Sequence, residues 1–502
     1  MSEYAGQAAD AFGQSRECFE QLVAGLAGAQ ADGLTHAQLE DRLAAEGRAL
    51  LRLLLQDHLE LRAVREQRRL QVVGADEVAR TRVETGHERG LATVFGPVTV
   101  TRMAYRAPGV DNLYPADAVL SLPAGRHSHG LRRLAAVESV RGSFQDAVAA
   151  IERTCGVSVG KRQVQQLATA AAVDVEAFYA ARRHEPAPHE RLLALSFDGK
   201  GIVMIPSALR EATAKAAFRA GQKLRTRLSP GEKRGRRRMA ELAVVYDAVP
   251  VPRTPAEIIT GGDNSRRRRG PIAQDKWLTT SVVDDIAPVV AAGFDEAHRR
   301  DPHQRRTWVV LVDGNRTQIE AIQAEAQRRK VTVHIVLDFV HVLEYLWKAA
   351  WALFYTSDPA AEAWVAEQAT KILSGKAGQV AAGIRRRATR YGYSAKERAG
   401  ADECANYLSA KKPYLDYHSA LAAGWPIATG VIEGACRHLV KDRMDITGAR
   451  WGLDTAEAIL KLRAVTVNGD FDAYWAFHLR QEHQRTHQSR YQQRREDYTL
   501  AA

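Results

Sequence analysis

Three apolar runs in this sequence end on an aspartate, and that repetition constrains the fold more than any other feature. "LLALSFD" stops at Asp198, "TWVVLVDGN" reaches Asp313, and "VTVHIVLD" stops at Asp338. Short continuous apolar runs are the pattern of buried strands, and helical patterns follow them. The chain therefore reads as α/β, a class in which strand ends gather ligands. A single acid there can be a turn former: Asp313-Gly314 is a turn signal, and Asn315 with Gln318 could cap the next helix. Three in succession point to a site. Asp198 and Asp313 on neighbouring central strands would repel each other unless a cation lay between them.

A further acid sits in "TGVIEGACRHLVKDRMDITGARW" (Thr429–Trp451). Ile432, Cys436 and Leu439 recur at i, i+4 and i+7, so one stripe of this helix should be buried. Glu433 lies about 100° round the helix from Ile432, at the edge of that stripe. A favourable helix dipole explains an acid in a first turn; a third ligand beside Asp198 and Asp313 is the functional alternative. Hard oxygen donors with no His/Cys cage suit Mg²⁺ or Mn²⁺. Two such ions, about 3.5–4 Å apart, can stabilise both the attacking and leaving oxygens of a phosphoryl displacement. Asp338 and His341, at i and i+3 on a helix start, should share a face. Either they support the fold or they handle a nucleic-acid end.

Charge points the same way. Lys+Arg 71 against Asp+Glu 59 leaves a net +12 over 502 residues, which fits a polyanionic partner. The surplus is clustered in Lys223–Arg238 (Lys233, Arg234, Arg236 and Arg237 among them), in Arg266, Arg267, Arg268 and Arg269, and in "RRRATRYGY" from Arg385 to Tyr393. Such runs are solvated loops or phosphate-contacting surface, and three beside a candidate site favour the second. Four scattered cysteines without C-x-x-C spacing fit a reducing cytoplasm. The acidic start is no signal peptide, and no run of 18 uncharged apolar residues exists to span a membrane.

The N-terminal half reads as mainly helical. Thr35 and Gln38 form a capping box opening a helix over 35–69, whose leucines (Leu39, Leu43, Leu50, Leu54, Leu61) serve a core or a dimer contact. "LATVFGPVTVTRMAYR" (Leu91–Arg106) alternates around Gly96-Pro97 as a β-hairpin. Residues 143–172 give two short helices hinged at Gly156, with Lys161 and Arg162 opening the second. That is a helix-turn-helix or a plain helical hairpin. The last 25 residues, rich in Gln, Arg and His, look like a charged tail or a fraying helix.

"SFDGKG", "VVLVDGN", "LDFVHVLEYLW" and "GWPIATGVIEGACRHLVKDRMDITGARW" together resemble the DDE transposases of bacterial insertion sequences, in particular the ISKra-four family, which is related to the Mutator-like group. The resemblance spans about Leu91 to Phe477 and is most specific around Glu433. It implies a ribonuclease H-like catalytic core over 190–340 and 426–478, interrupted by a helical insertion at 341–425 that holds Trp347, Trp351 and Trp364. Before the core it implies an N-terminal helical region (1–90) and a hairpin plus helix-turn-helix-like DNA-binding region (91–185); after it comes a charged tail (479–502). Asp198, Asp313 and Glu433 become the catalytic acids holding two Mg²⁺ (or Mn²⁺) ions, and Asp338 with His341 the signature pair. The implied partners are double-stranded DNA, as terminal inverted repeats and target, and further copies of the chain in a synaptic complex at the bacterial nucleoid. No membrane is implied. Two features depart from the pattern: the paired N-terminal cysteines of many relatives are missing, and Ala428-Thr429 stands where Gly-Ser is common. A ribonuclease H-like nuclease without strand transfer and a non-catalytic or domesticated DNA-binding protein are the alternatives.

Overall fold

Long-range contacts divide the chain into two units, one of residues up to Ala180 together with Asp470 onward, the other Ala181–Gly469. The structure, a computed structural model, describes residues 11–492 apart from 186, 225, 227, 260–269, 356 and 447. Arg266, Arg267, Arg268 and Arg269 thus lie outside the described residues. Among the described residues no helix is long and apolar enough to cross a membrane.

In the first unit, helices α1 (Gly13–Ala27) and α2 (His36–Val64) precede a long hairpin of strands β1 (Arg82–Thr93) and β2 (Gly96–Arg106). The Thr35–Gln38 capping box opens α2 as expected. The helix stops at Val64 and not near 69, because the chain beyond it bonds to the hairpin: Glu66 accepts from the Met103 amide, and the Arg69 amide donates to the Tyr105 hydroxyl. Its leucines divide: Leu59 packs on Leu91, Val98 and Val100 and Leu61 is also buried, while Leu43 and Leu54 are exposed. The hairpin turns at Val94-Phe95, one step before Gly96-Pro97, and Thr93 ties the turn by accepting from Phe95 and donating to the Gly96 carbonyl.

Helices α3 (His129–Arg141), α4 (Phe144–Cys155) and α5 (Lys161–Ala170) bury Leu131, Ala147, Ile151, Val159 and Val164 in one cluster. The hinge falls at Gly156, whose φ of 69° is the left-handed conformation that glycine adopts freely at a helix end. The two-helix pattern is therefore part of a three-helix cluster. The C-terminal segment is no tail through Gln492. Phe471–Thr486 is a helix with His478 fully buried against Asp174 at 2.7 Å, and Gln492 donates to the Val73 carbonyl. That helix belongs with the N-terminal unit, although the sequence assigns its first half to the catalytic core.

The second unit is mixed α/β, built on a five-stranded mixed sheet. Its strands are β3 (Leu192–Val203), β4 (Arg237–Ala248), β5 (Gln274–Ser281), β6 (Trp308–Val312) and β7 (Val333–Leu337), in the spatial order β5-β4-β3-β6-β7. The first three are antiparallel neighbours; β6 and β7 are parallel to β3. Helix α6 (Ile286–Arg300) packs on one face, where Gly293 lies so close to Phe197 that a Cβ would come within 2.8 Å of its ring. Helices α7 (Arg316–Arg329) and α8 (Phe339–Leu353) follow β6 and β7. From α8 the chain runs through further helices at Pro359–Leu373, Ala377–Arg390 and Ala399–Ala410 before returning to the sheet, so the segment expected to be helical is helical. Trp347 stacks on Trp351, and Trp364 lies against Phe354.

Candidate active site

Asp198 is not at the end of its strand. It lies midway along β3, which continues to Val203 paired only with β4. What ends near it is the parallel ladder, whose last pair is Ser196 with Leu311. Carried on by two residues, that register aligns Asp198 with Asp313, the first residue beyond β6. The two acids thus sit on neighbouring central strands, as expected. The continuation of β3 past Asp198 is possible because Gly199 and Gly201 carry no side chain where Glu241 and Arg237 of β4 cross them, within 2.8 and 2.9 Å of a notional Cβ.

Asp313 is fixed by the turn after it. Its Oδ1 accepts from the Asn315 amide at 2.8 Å, and its carbonyl accepts from the Tyr407 hydroxyl at 3.2 Å. Gly314 has φ of 100° and lies tight against Leu337 and Tyr407, so only glycine fits without strain. Asn315 then caps α7 by accepting from Thr317 and Gln318.

Asp338 begins α8 as its N-cap, accepting from the Val340 amide, and its own amide donates to the Val312 carbonyl. This brings the ends of β6 and β7 side by side. Asp338 is 1% exposed, and Thr429 closes over it with two hydrogen bonds. His341 does not share its environment. The ring is half-exposed and bonds Glu344 at 2.9 Å instead of Asp338.

Glu433 lies exposed in the first turn of α9 (Gly430–Ala435), with Ile432, Cys436 and Leu439 buried below it. From Cys436 to Lys441 the helix widens to a π-helical turn, a distortion that recurs at functional sites. The Cys436 thiol donates to Asp198 Oδ2 at 3.0 Å. Burial, then the Asp198 charge and this hydrogen bond, push the thiol pKa well up, so it stays a donor. Thus one helical turn joins the acids: Cys436 holds Asp198, and Glu433 Oε1 lies 3.3 Å from the Thr429 hydroxyl that reaches Asp338.

The site therefore brings together Asp198, Asp313, Asp338 and Glu433, and leaves His341 aside. Sequence reading missed three contributors: Cys436, Thr429 and Glu241. Glu241 faces Gly199 from β4, and burial, followed by the charges of Asp198 and Asp285, raises its pKa to about 7. An acid inside the apolar run "AELAVVY" was the available signal. Among the described residues no ion pair joins Asp198, Asp313, Asp338 or Glu433 to a Lys, Arg or His side chain, nor are three His, Cys, Asp or Glu side chains placed to hold a metal as they stand. Asp198 and Glu433 are turned toward Cys436 and Thr429. The donor set itself, hard oxygens that make no ion pair among the described residues, fits a divalent cation.

The basic residues scatter by comparison. Lys161 and Arg162 are exposed on the first turn of α5. Lys233 and Arg234 end a short helix, Pro230–Arg234; Arg236 follows it, and Arg237 opens β4.

No protein-family model matches this chain, and no curated protein matches it significantly.

Proposed function

We propose that the protein is a DDE-type transposase with a ribonuclease H-like core. It binds the terminal inverted repeats of its own element, hydrolyses a phosphodiester to free a 3′-hydroxyl, and directs that hydroxyl onto target DNA. The observation that carries this reading is the meeting of Asp198 and Asp313 on adjacent parallel strands with the helix of Glu433, which holds Asp198 through Cys436. Further support comes from the strand order, with three antiparallel strands flanked by two parallel ones, and from the helices between Asp338 and Glu433.

Asp198, Asp313 and Glu433 would hold two Mg²⁺ or Mn²⁺ ions, which when bound stabilise charge on the attacking and leaving oxygens. Cys436 orients Asp198, the Asn315 amide orients the Asp313 carboxylate, and the Tyr407 hydroxyl holds the Asp313 carbonyl. Lys161, Arg162 and the runs Lys223–Arg238 and Arg266–Arg269 would track the phosphate backbone and add affinity without reading sequence. The exposed Leu43, Leu51 and Leu54 on α2 offer an apolar face for the second copy that a synaptic complex requires. The protein would act in the cytoplasm, at the nucleoid.

The test is to incubate full-length protein and Mg²⁺ with the DNA that flanks its reading frame, then map the products. A nick at the repeat end bearing a 3′-hydroxyl, followed by joined strands, is expected. Cut ends that never join would make it a nuclease. Binding without any cut would make it a non-catalytic DNA-binding protein.

A further inference from the structure

Thr429 lies between two carboxylates and has one proton to give. It is 5% exposed, in a segment fixed by the hydrogen bond from the Phe339 amide to the Ile427 carbonyl. Its Oγ1 is 2.5 Å from Asp338 Oδ2 and 3.3 Å from Glu433 Oε1. Asp338 Oδ1 meanwhile accepts from the backbone amides of Val340 at 3.0 Å and Thr429 at 3.3 Å. Among the described residues, every hydrogen-bond partner of the Asp338 carboxylate is therefore a donor. A hydroxyl offers one hydrogen and two lone pairs. With the hydrogen committed to the closer, buried Asp338, Thr429 turns only lone pairs toward Glu433.

We propose that Asp338 and Thr429 form a polarity relay: Asp338 accepts the hydrogen bond of the Thr429 hydroxyl, which keeps its proton, so that Glu433 is not tied down and swings out to ligate a divalent cation. Asp338 is then a positioning residue acting through Thr429. The inference rests on the reading of Glu433 as a metal-ligating acid.

Asp338→Asn tests it with little change of shape. The Asn oxygen keeps both backbone hydrogen bonds, while its NH₂ donates to Thr429 Oγ1 where Oδ2 accepted. The Thr429 proton must then turn to Glu433 and tether it. The readout is Mn²⁺ binding to full-length protein without DNA, by calorimetry, with thermal unfolding to verify the fold. Asp338→Asn should weaken binding about 10–100-fold, the range for partners that orient a metal ligand. Thr429→Val should weaken it at most severalfold alone, yet strengthen binding in the Asp338→Asn background, because the tether is gone. That reversal of sign is the signature. Asp338→Ser, which still caps α8 but lacks the charge that draws the Thr429 hydrogen away from the Glu433 carboxylate, should weaken binding in the same direction and serves if Asp338→Asn fails to fold.

Wild-type affinity in Asp338→Asn, or a double variant no tighter than Asp338→Asn, would overturn the relay while Glu433→Gln still weakened binding. If Glu433→Gln bound Mn²⁺ as tightly as wild type, the reading of Glu433 itself would fall, and the relay with it.

Discussion

At the scale of single residues, the site is a set of acids held in place by uncharged neighbours. Cys436 donates to Asp198, a backbone amide to Asp313, and Thr429 to Asp338. Glu241 shows what that crowding does. Burial and the nearby Asp198 charge lift its pKa from 4.5 to about 7, so the folded chain holds its proton more tightly than the unfolded chain. Its contribution to stability is full below pH 4.5 and is lost as pH rises through about 7. In metal-free buffer, Glu241→Gln should therefore raise the melting temperature at pH 8 relative to wild type and leave it nearly unchanged at pH 4.5; scanning calorimetry at both pH values checks this. Asp313 and Asp338 were legible in the sequence because an apolar run followed by a turn or a cap is a local signal. Cys436 and Thr429 were not. Their roles depend on Asp198 and Asp338, 238 and 91 positions away, and nothing local marks them.

At the scale of elements, β3 carries two charged environments at two ends. Beyond Ser196 it presents Asp198. At its start, Leu193 pairs with Asp247, and there Arg300 bonds both Glu296 at 2.8 Å and Asp247 at 3.3 Å, all buried. Burial alone would raise the Glu296 pKa, but the His184 ring 3.0 Å away and the Arg300 charge outweigh it and hold it at about 2. A lowered carboxyl stabilises fully above the unfolded value of 4.5 and loses that contribution as pH falls toward about 2. Arg300→Ala removes a cation shared by two buried acids but leaves Asp247 to Arg306 and Glu296 to His184 and Arg299, so it should cost roughly 1–3 kcal/mol. Because five residues of strand, about 16 Å, separate Leu193 from Asp198, Mn²⁺ affinity should not change. Urea unfolding and calorimetry on the same variant separate the two effects. The end of β3 was misplaced by the sequence because "GKGIV" continues as a strand only where β4 lies beside it, a tertiary condition that hydropathy cannot express.

At the scale of the whole molecule, the acids and the three-helix cluster fall in different units, and the C-terminal helix joins the N-terminal one. A chain cut after residue 181 would lose the helix that buries His478 against Asp174, so DNA binding is best dissected in the full chain. The sequence missed this because a Gln- and Arg-rich helix looks solvated until its distant partner is known. Replacing Lys161 and Arg162 with alanine should flatten the dependence of log affinity on log salt by about 2, close to one unit per lost phosphate contact. A fluorescence titration on end DNA between low and physiological salt measures it. The most direct measurement of the central claim is cleavage of end DNA in Mg²⁺ by Asp198→Asn, Asp313→Asn and Glu433→Gln, each verified as folded. Loss of a ligating acid should exceed the roughly 10–100-fold expected of a supporting residue, so all three should fall below detection. Near-wild-type cleavage by any one of them would contradict the account.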